Sequence, residues 1–218
     1  MLSTLKRALK WRYDQWTRKR ELRSLAQQLA QSQQYSFTAD WMSGQSEHWP
    51  RDLAKFVGRP GVRMLEIGSF EGRSAIWFLE NILTHPDSRL LCVDPFSDER
   101  QEMRFDHNMK LCSAQARLEK RPGRSEAVLP QLQRASFDVI YVDGSHAAPF
   151  VLLDAMLSWE LLKPGGILLF DDYEWEPQLP PERRPKLAID LFLGSHAGRY
   201  DLLRQGYQIV IEKKQSPE

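Results

Sequence analysis

The sequence has little cysteine, no surplus of charge and no long apolar run, and each shortage removes a class of protein. Cys92 and Cys112 are its two cysteines and fall in no CxxC or mixed His/Cys spacing. Neither a disulfide framework nor a thiolate metal site is expected, and a reducing compartment, the cytoplasm, suits them. Lys and Arg number 30 against 29 Asp and Glu, a formal net charge of +1. No global field gathers nucleic acid or an anionic membrane, which leaves room only for a local patch. The most apolar stretches, VIYV and GGILLF, are far shorter than the ~20 residues that span a bilayer. The N-terminal segment lacks the continuous apolar centre of a signal peptide. With 218 residues the chain can bury a full core, and one domain is the default.

What is there begins with a strongly basic stretch. In residues 1–34, Leu2, Leu5, Leu9, Tyr13 and Trp16, then Leu22, Leu25 and Leu29, recur at three and four, the spacing of one helical face. Lys6, Arg7, Lys10, Arg12, Arg18, Lys19, Arg20 and Arg23 supply charge, relieved only by Asp14 and Glu21. This basic amphipathic extension suits packing on the core or pairing as a homodimer. Contact with a membrane surface or a polyanion is the other reading. Residues 35–218 make the remaining unit. It opens with SFTADWMSGQSEHWPRDLAKFVGRPG, which reads as a cap beside a pocket. Apolar strands then alternate with helical stretches, the pattern of an α/β domain with a mostly parallel sheet. Strands are expected at 63–67, 90–93, 117–121, 137–142 and 166–170, and helices at 74–83, 99–114, 125–132 and 150–161, the last stopped by KPGG. A helix near 186–192 and two strands joined at Gln205 and Gly206 follow, putting an antiparallel strand into the sheet.

Three segments at expected strand ends suggest a ligand crevice. LEIGSFEG, residues 65–72, follows the first strand; Gly68 and Gly72 suit either a tight turn or the close approach of a ligand to the backbone. LLCVDPF puts Asp94 at the end of the second, where a carboxylate can accept both hydroxyls of a ribose or serve as a helix cap. In RPGRSEAVLPQL, Gly123, Arg124 and Ser125 precede a helix; Ser125 suits an N-cap, and the same loop suits contact with an adenine ring.

Taken in series, LEIGSFEGRSAIWFLENIL, CVDPF, GRSEAVLP and FDVIYVDGSHAAPFVLLDAMLSWELLKPGGILLFDDY resemble the class I S-adenosylmethionine (SAM)-dependent methyltransferases. The likeness is to their small O-methyltransferase-like group with DGSH and DD signatures, over roughly residues 35–214. It implies a Rossmann-like, seven-stranded, mostly parallel sheet of order 3-2-1-4-5-7-6 with strand 7 antiparallel. It implies SAM as cofactor and a hydroxylated small molecule as methyl acceptor. Glu66, Gly68, Ser69 and Gly72 would then surround the amino-acid part of SAM, and Asp94 would take the ribose. Gly123 and Ser125 would lie near the adenine, Asp143 would border the cofactor, and Phe96 would cover the nucleoside or else belong to the core.

Asp143 and His146 in VDGSH, and Asp171 and Asp172 in FDDY, follow neighbouring expected strands, so three carboxylates and an imidazole should share one cleft. Such crowding calls for a cation or polar substrate, and oxygen ligands suit Mg²⁺ or another divalent ion. Helix capping and loop hydrogen bonding are the alternative. The arrangement resembles the metal-dependent catechol-type O-methyltransferases, which implies Asp143, Asp171 and Asp172 as metal ligands. Asp172 stands where that family has Asn, and His146 where it has a lysine base. Asp143 and His146 would be the catalytic pair, His146 taking the hydroxyl proton. Trp41, His48, Trp49 and Trp175 are candidates for an aromatic acceptor pocket, or seal a hydrophobic seam. Three other readings compete. One is a protein that binds SAM or its demethylated product without turnover. Another is a nucleic-acid methyltransferase docked through the basic helix, although an NPPY-like motif is missing. The third is an NAD-dependent oxidoreductase, which LEIGSFEG in place of GxGxxG disfavours.

Overall fold

Runs of Val, Ile and Leu with polar residues only at their ends have no face to offer water, so they fold as interior strands covered on both sides. The computed structural model describes residues 2–215. In chain order the elements are α1 (Leu2–Gln31), α2 (Trp49–Asp52), β1 (Arg63–Ile67), α3 (Arg73–Asn81), β2 (Arg89–Asp94), α4 (Glu99–Leu111) and β3 (Leu118–Pro122). They continue with α5 (Ser125–Val128), β4 (Phe137–Val142), α6 (Ala148–Leu161), β5 (Leu162–Phe170), α7 (Pro185–Ser195), β6 (Tyr200–Gln205) and β7 (Ile209–Lys213).

The strands form one sheet of order β3-β2-β1-β4-β5-β7-β6. It is parallel from β3 to β5, with β7 antiparallel to both β5 and β6. This is the class I methyltransferase topology that the motif series implied. Side chains alternate across the sheet. Met64, Cys92, Val139 and Leu169 join Trp49, Phe78 and Phe105 on one face, and Leu65, Val93, Ile140 and Leu168 join Trp159 and Phe192 on the other. Because β1 lies between β2 and β4, the loops leaving β1 and β4 diverge, and a crevice opens at the carboxyl ends of the strands.

Local chemistry moved three boundaries. The helix expected at 125–132 is the four-residue α5 followed by a 3₁₀ turn, Leu129–Gln131, because Pro130 has no N–H to continue an α-helix. KPGG lies inside β5 rather than before it. A Cβ at Gly166 would stand 2.8 Å from the Lys163 carbonyl oxygen, so the chain doubles closely there. The terminal strands are joined by residues 206–208, which carries Tyr207 to the crevice.

α1 rests on α4, with Leu25 and Leu29 buried. Among the described residues no helix is long and apolar enough to cross a membrane. Trp49, named from the sequence as an acceptor-pocket candidate, is instead fully buried. Its ring stacks on Phe78 at 4.5 Å and meets Tyr141 edge-on at 5.4 Å, while Nε1 donates to Gln208 Oε1 at 2.8 Å. It fastens the cap to the sheet. Trp49→Ala is expected to lower the unfolding free energy by about 3–5 kcal/mol, measured by urea titration; a loss below about 1 kcal/mol would contradict this packing.

Candidate functional site

The loop leaving β1 is shaped by what it must pass. A Cβ on Gly68, whose φ is +84°, would lie 2.0 Å from the backbone oxygen of Asp143, so only glycine lets the β1 and β4 loops touch. The loop is held from the β2 side by one carboxylate. Asp94 Oδ2 accepts the backbone N–H groups of Ser69 and Phe70 at 3.0 and 3.1 Å, and Oδ1 accepts from Phe96 N at 2.7 Å and Gln101 Nε2 at 3.2 Å. A carboxylate offers about four acceptor sites, and here each has a protein donor.

Glu71, also in this loop and buried, reaches the cap. Its carboxylate accepts from Thr38 N at 2.6 Å and Thr38 Oγ1 at 2.8 Å. Asn108 of α4 bonds both Ser36 and the Glu71 carbonyl. The cap segment so anchored brings Trp41 over the loop, 5.0 Å from Phe70 between ring centroids.

The resulting cleft has a volume of about 900 Å³. Of the cofactor residues expected from the sequence, Gly68, Ser69, Asp94, Ser125 and Asp143 line it. Four others do not. Glu66 is wholly buried behind the loop, accepting from Ser74 Oγ at 2.6 Å and Cys92 Sγ at 3.2 Å, and burial pushes its carboxyl up. Gly72 faces Met109 and Phe105 of α4, and Gly123 faces Val128. Phe96 packs in the core against Phe105, centroids 5.0 Å apart. The conformations of these residues build the loops; their side-chain positions are turned away from the crevice.

Asp154, on the apolar helix α6, was not singled out from the sequence. It is 2% exposed, lines the cleft, and its Oδ1 has no hydrogen-bond partner among the described residues. The signal was an acid set among Val151, Ala155 and Ser158, on the buried stripe of α6. Burial pushes its carboxyl up to about 6.

At the ends of β4 and β5 the expected cluster forms. The Tyr141 hydroxyl lies between Asp143 Oδ2, at 3.2 Å, and Asp171 Oδ2. Burial first, then the neighbouring carboxylates, pushes Asp143 well above the ordinary carboxylate range; burial and Asp172 raise Asp171. Asp172, in a left-handed conformation at φ 60°, accepts from Tyr207 at 2.7 Å and holds His146 Nε2 at 2.9 Å. That hydrogen bond, opposed by burial, raises His146 above its ordinary value. Trp175 stands 4.4 Å from the imidazole.

Ligand atoms of Asp143, His146 and Asp172 lie within 4.8 Å of one another. His146 takes the place expected of Asp171, whose carboxylate is engaged by Tyr141 and by Asp172 N. Trp41 and Trp175 line the cleft as expected of pocket residues, but His48 does not and pairs with Glu47. Tyr141 and Tyr207 were not singled out from the sequence, since nothing in a strand interior or a hairpin loop distinguishes a tyrosine that meets a distant acid.

Residues 65–173, half of the chain, match the family described as Methyltransferase domain. An uncharacterized protein of Acanthamoeba polyphaga mimivirus is 27% identical over 158 residues, covering 69% of this chain and 70% of that one. Among solved structures, the O-methyltransferase TomG from Streptomyces achromogenes, involved in tomaymycin synthesis and solved in complex with SAM, is similar with a TM-score of 0.62. It is 20% identical, over 89% of each chain. An O-methyltransferase from Bacillus cereus, in complex with SAH, has a TM-score of 0.63 at 16% identity, over 87% of this chain and 91% of that one. At these identities the structural likeness establishes the fold.

The buried acid of α6 has a consequence for stability. As pH rises from about 4, the unfolded chain ionises Asp154 first, the folded chain only near 6, so folding stability falls across that interval and stays lower above it. Asp154→Asn removes this penalty. The variant is expected to gain up to about 3 kcal/mol over the wild type above pH 7 and only about 1 kcal/mol near pH 4.5. Urea unfolding at the two pH values checks this, and a pH-independent difference would refute it.

Proposed function

The chain belongs to the Methyltransferase domain family, and we propose that it carries a methyl group from SAM to a hydroxyl of a small molecule. The observation that supports this best is one continuous cleft lined by both the glycine loop and a carboxylate–imidazole cluster. SAM supplies, when bound, a methyl group on a positively charged sulfur. The residues present fit it. The buried hydroxyl of Ser69 lines the cleft and has no partner among the described residues. Arg73, in the first turn of α3, lies over Phe37 and 3.6 Å from Asp40. There a guanidinium and a helix N-terminus suit an amino-acid carboxylate. Asp94 takes ribose hydroxyls in exchange for Gln101, its longest contact. Ser125 and Asp154 are polar partners for a base. In this reading residues 35–218 are the transferase unit and residues 1–34 an appended helix.

Asp143, His146 and Asp172 fit a divalent cation in donor type and spacing. A cation held there supplies Lewis acidity to an acceptor oxygen and offsets the repulsion among the carboxylates. The second reading needs no metal and rests on the 2.9 Å contact between Asp172 and His146. Asp172 then orients the neutral imidazole through Nε2–H, leaving Nδ1 to accept the hydroxyl proton. In both readings Trp175, beside His146, shields the acceptor end, while Trp41 covers the glycine loop.

Calorimetric titration with S-adenosylhomocysteine is expected to show micromolar binding, weakened at least about tenfold by Asp94→Ala; no binding by the wild type overturns the proposal. Turnover on hydroxylated aromatic or sugar-bearing metabolites is expected to stop in chelator and return with Mg²⁺ or Mn²⁺. Asp143→Asn and Asp172→Asn should raise the metal requirement at least about tenfold, and Asp171→Asn less. Full activity in chelator, abolished by His146→Ala, would assign the metal-free dyad instead.

A further inference from the structure

The cleft makes no use of the most basic part of the chain. α1 carries eight Lys and Arg residues against two acids, Asp14 and Glu21, and its two sides are differently engaged. Leu22, Leu25 and Leu29 share the side turned to α4. Arg18 and Glu21, just before them in the chain, pair with Glu99 at 3.6 Å and Arg100 at 3.8 Å.

The other side carries Arg12, Trp16, Lys19, Arg20 and Arg23, spaced by three and four, and all of them are exposed. Tyr13 lies beside them, its ring 6.4 Å from that of Trp16, and the Arg20 guanidinium caps Trp16 at 5.6 Å. Trp16 is 57% exposed and Tyr13 66%; the sequence spacing put them on one face with Leu22, Leu25 and Leu29, but the six residues from Trp16 to Leu22 carry the helix round to another side, so the fold uses neither ring. At about 100° per residue, Asp14 and Glu21 both fall on the α4 side, which leaves this face free of acids between residues 12 and 23.

We propose that this face of α1 docks on an anionic lipid bilayer. Its cations meet headgroup phosphates, while indole and phenol, each with an apolar body and a polar tip, settle at headgroup depth. A symmetric pairing of two copies through this face would set like charges opposite one another. A nucleic-acid duplex would meet the cations but offer the two exposed rings no apolar layer, whereas a bilayer takes up both. Docking also has a geometric result. A crevice lined by Arg18, Leu22, Ser97 and Arg100 joins α1 to the loop after β2, and Ser97 lines the main cleft as well. The docked helix therefore stands between the lipid surface and the rim of the cleft.

The test is co-sedimentation of the full chain with vesicles of phosphatidylcholine alone or mixed with phosphatidylserine. Retention on the anionic vesicles is expected to exceed that on neutral ones by at least about tenfold at about 0.1 M salt, and to fall as salt is raised. Joint reversal of Arg12, Lys19, Arg20 and Arg23 to Glu should abolish it. Trp16→Ala with Tyr13→Ala, which leaves the charge unchanged, should weaken it several-fold. All six positions are exposed, and an unchanged melting temperature verifies folding of the variants. Equal retention on neutral vesicles, or no effect of charge reversal, overturns the proposal. So does tighter binding to RNA or duplex DNA than to anionic vesicles at the same salt, or a dimer in light scattering that charge reversal dissolves.

Discussion

One carboxylate holds the crevice open. Asp94 stands at the end of β2 and takes hydrogen bonds from the β1 loop, from its own following turn and from α4. Each of these segments carries backbone N–H groups that would be costly to bury unpaired. A single acid thus settles several obligations at once and sets the distance between loops that parallel strands would otherwise leave independent. The close passage of Gly68 by Asp143 depends on that spacing, and with it the nearness of the glycine loop to the acid cluster.

The acid cluster obeys a different constraint. Asp143, Asp171 and Asp172 stand at the ends of adjacent strands in a partly buried site, and the fold alone does not neutralise them. The upward push on the Asp143 carboxyl favours its neutral form, and the Tyr141 hydroxyl between Asp143 and Asp171 and the pairing of His146 with Asp172 also reduce the repulsion. Such a concentration of like charge contributes little to stability. That its side-chain partners are a histidine and two tyrosines, with no lysine or arginine in hydrogen-bond contact among the described residues, leaves the cluster able to accept an external cation or a proton.

The sheet was legible in the sequence because its central strands β1, β2, β4 and β5 are mainly apolar runs, and because order and spacing of several short motifs constrain topology more than any one of them. The line of the crevice was legible too, in Gly68, Asp94 and Asp143. Which way a side chain turns was less so. Glu66 and Ile67 are neighbours in one motif, yet the pleat sends Glu66 toward Cys92 and Ser74 and away from the cleft. Phe96 likewise follows Asp94 by two residues but closes on Phe105. Asp154 and Tyr207 reach the cleft from a helix and a hairpin loop, and only tertiary structure brings them there. His146 was read as a base; its nearness to Asp172 and Asp143 also puts it among candidate ligands, a choice decided by a few ångströms that spacing does not encode.

The bond between Glu71 and Thr38 joins the loop at one end of the cleft to the segment that roofs it. Whatever steadies the loop therefore steadies the roof. Thermodynamic linkage makes any coupling through this bond reciprocal: a change in affinity at the loop caused by an occupant under the roof is matched by the same factor in the other direction.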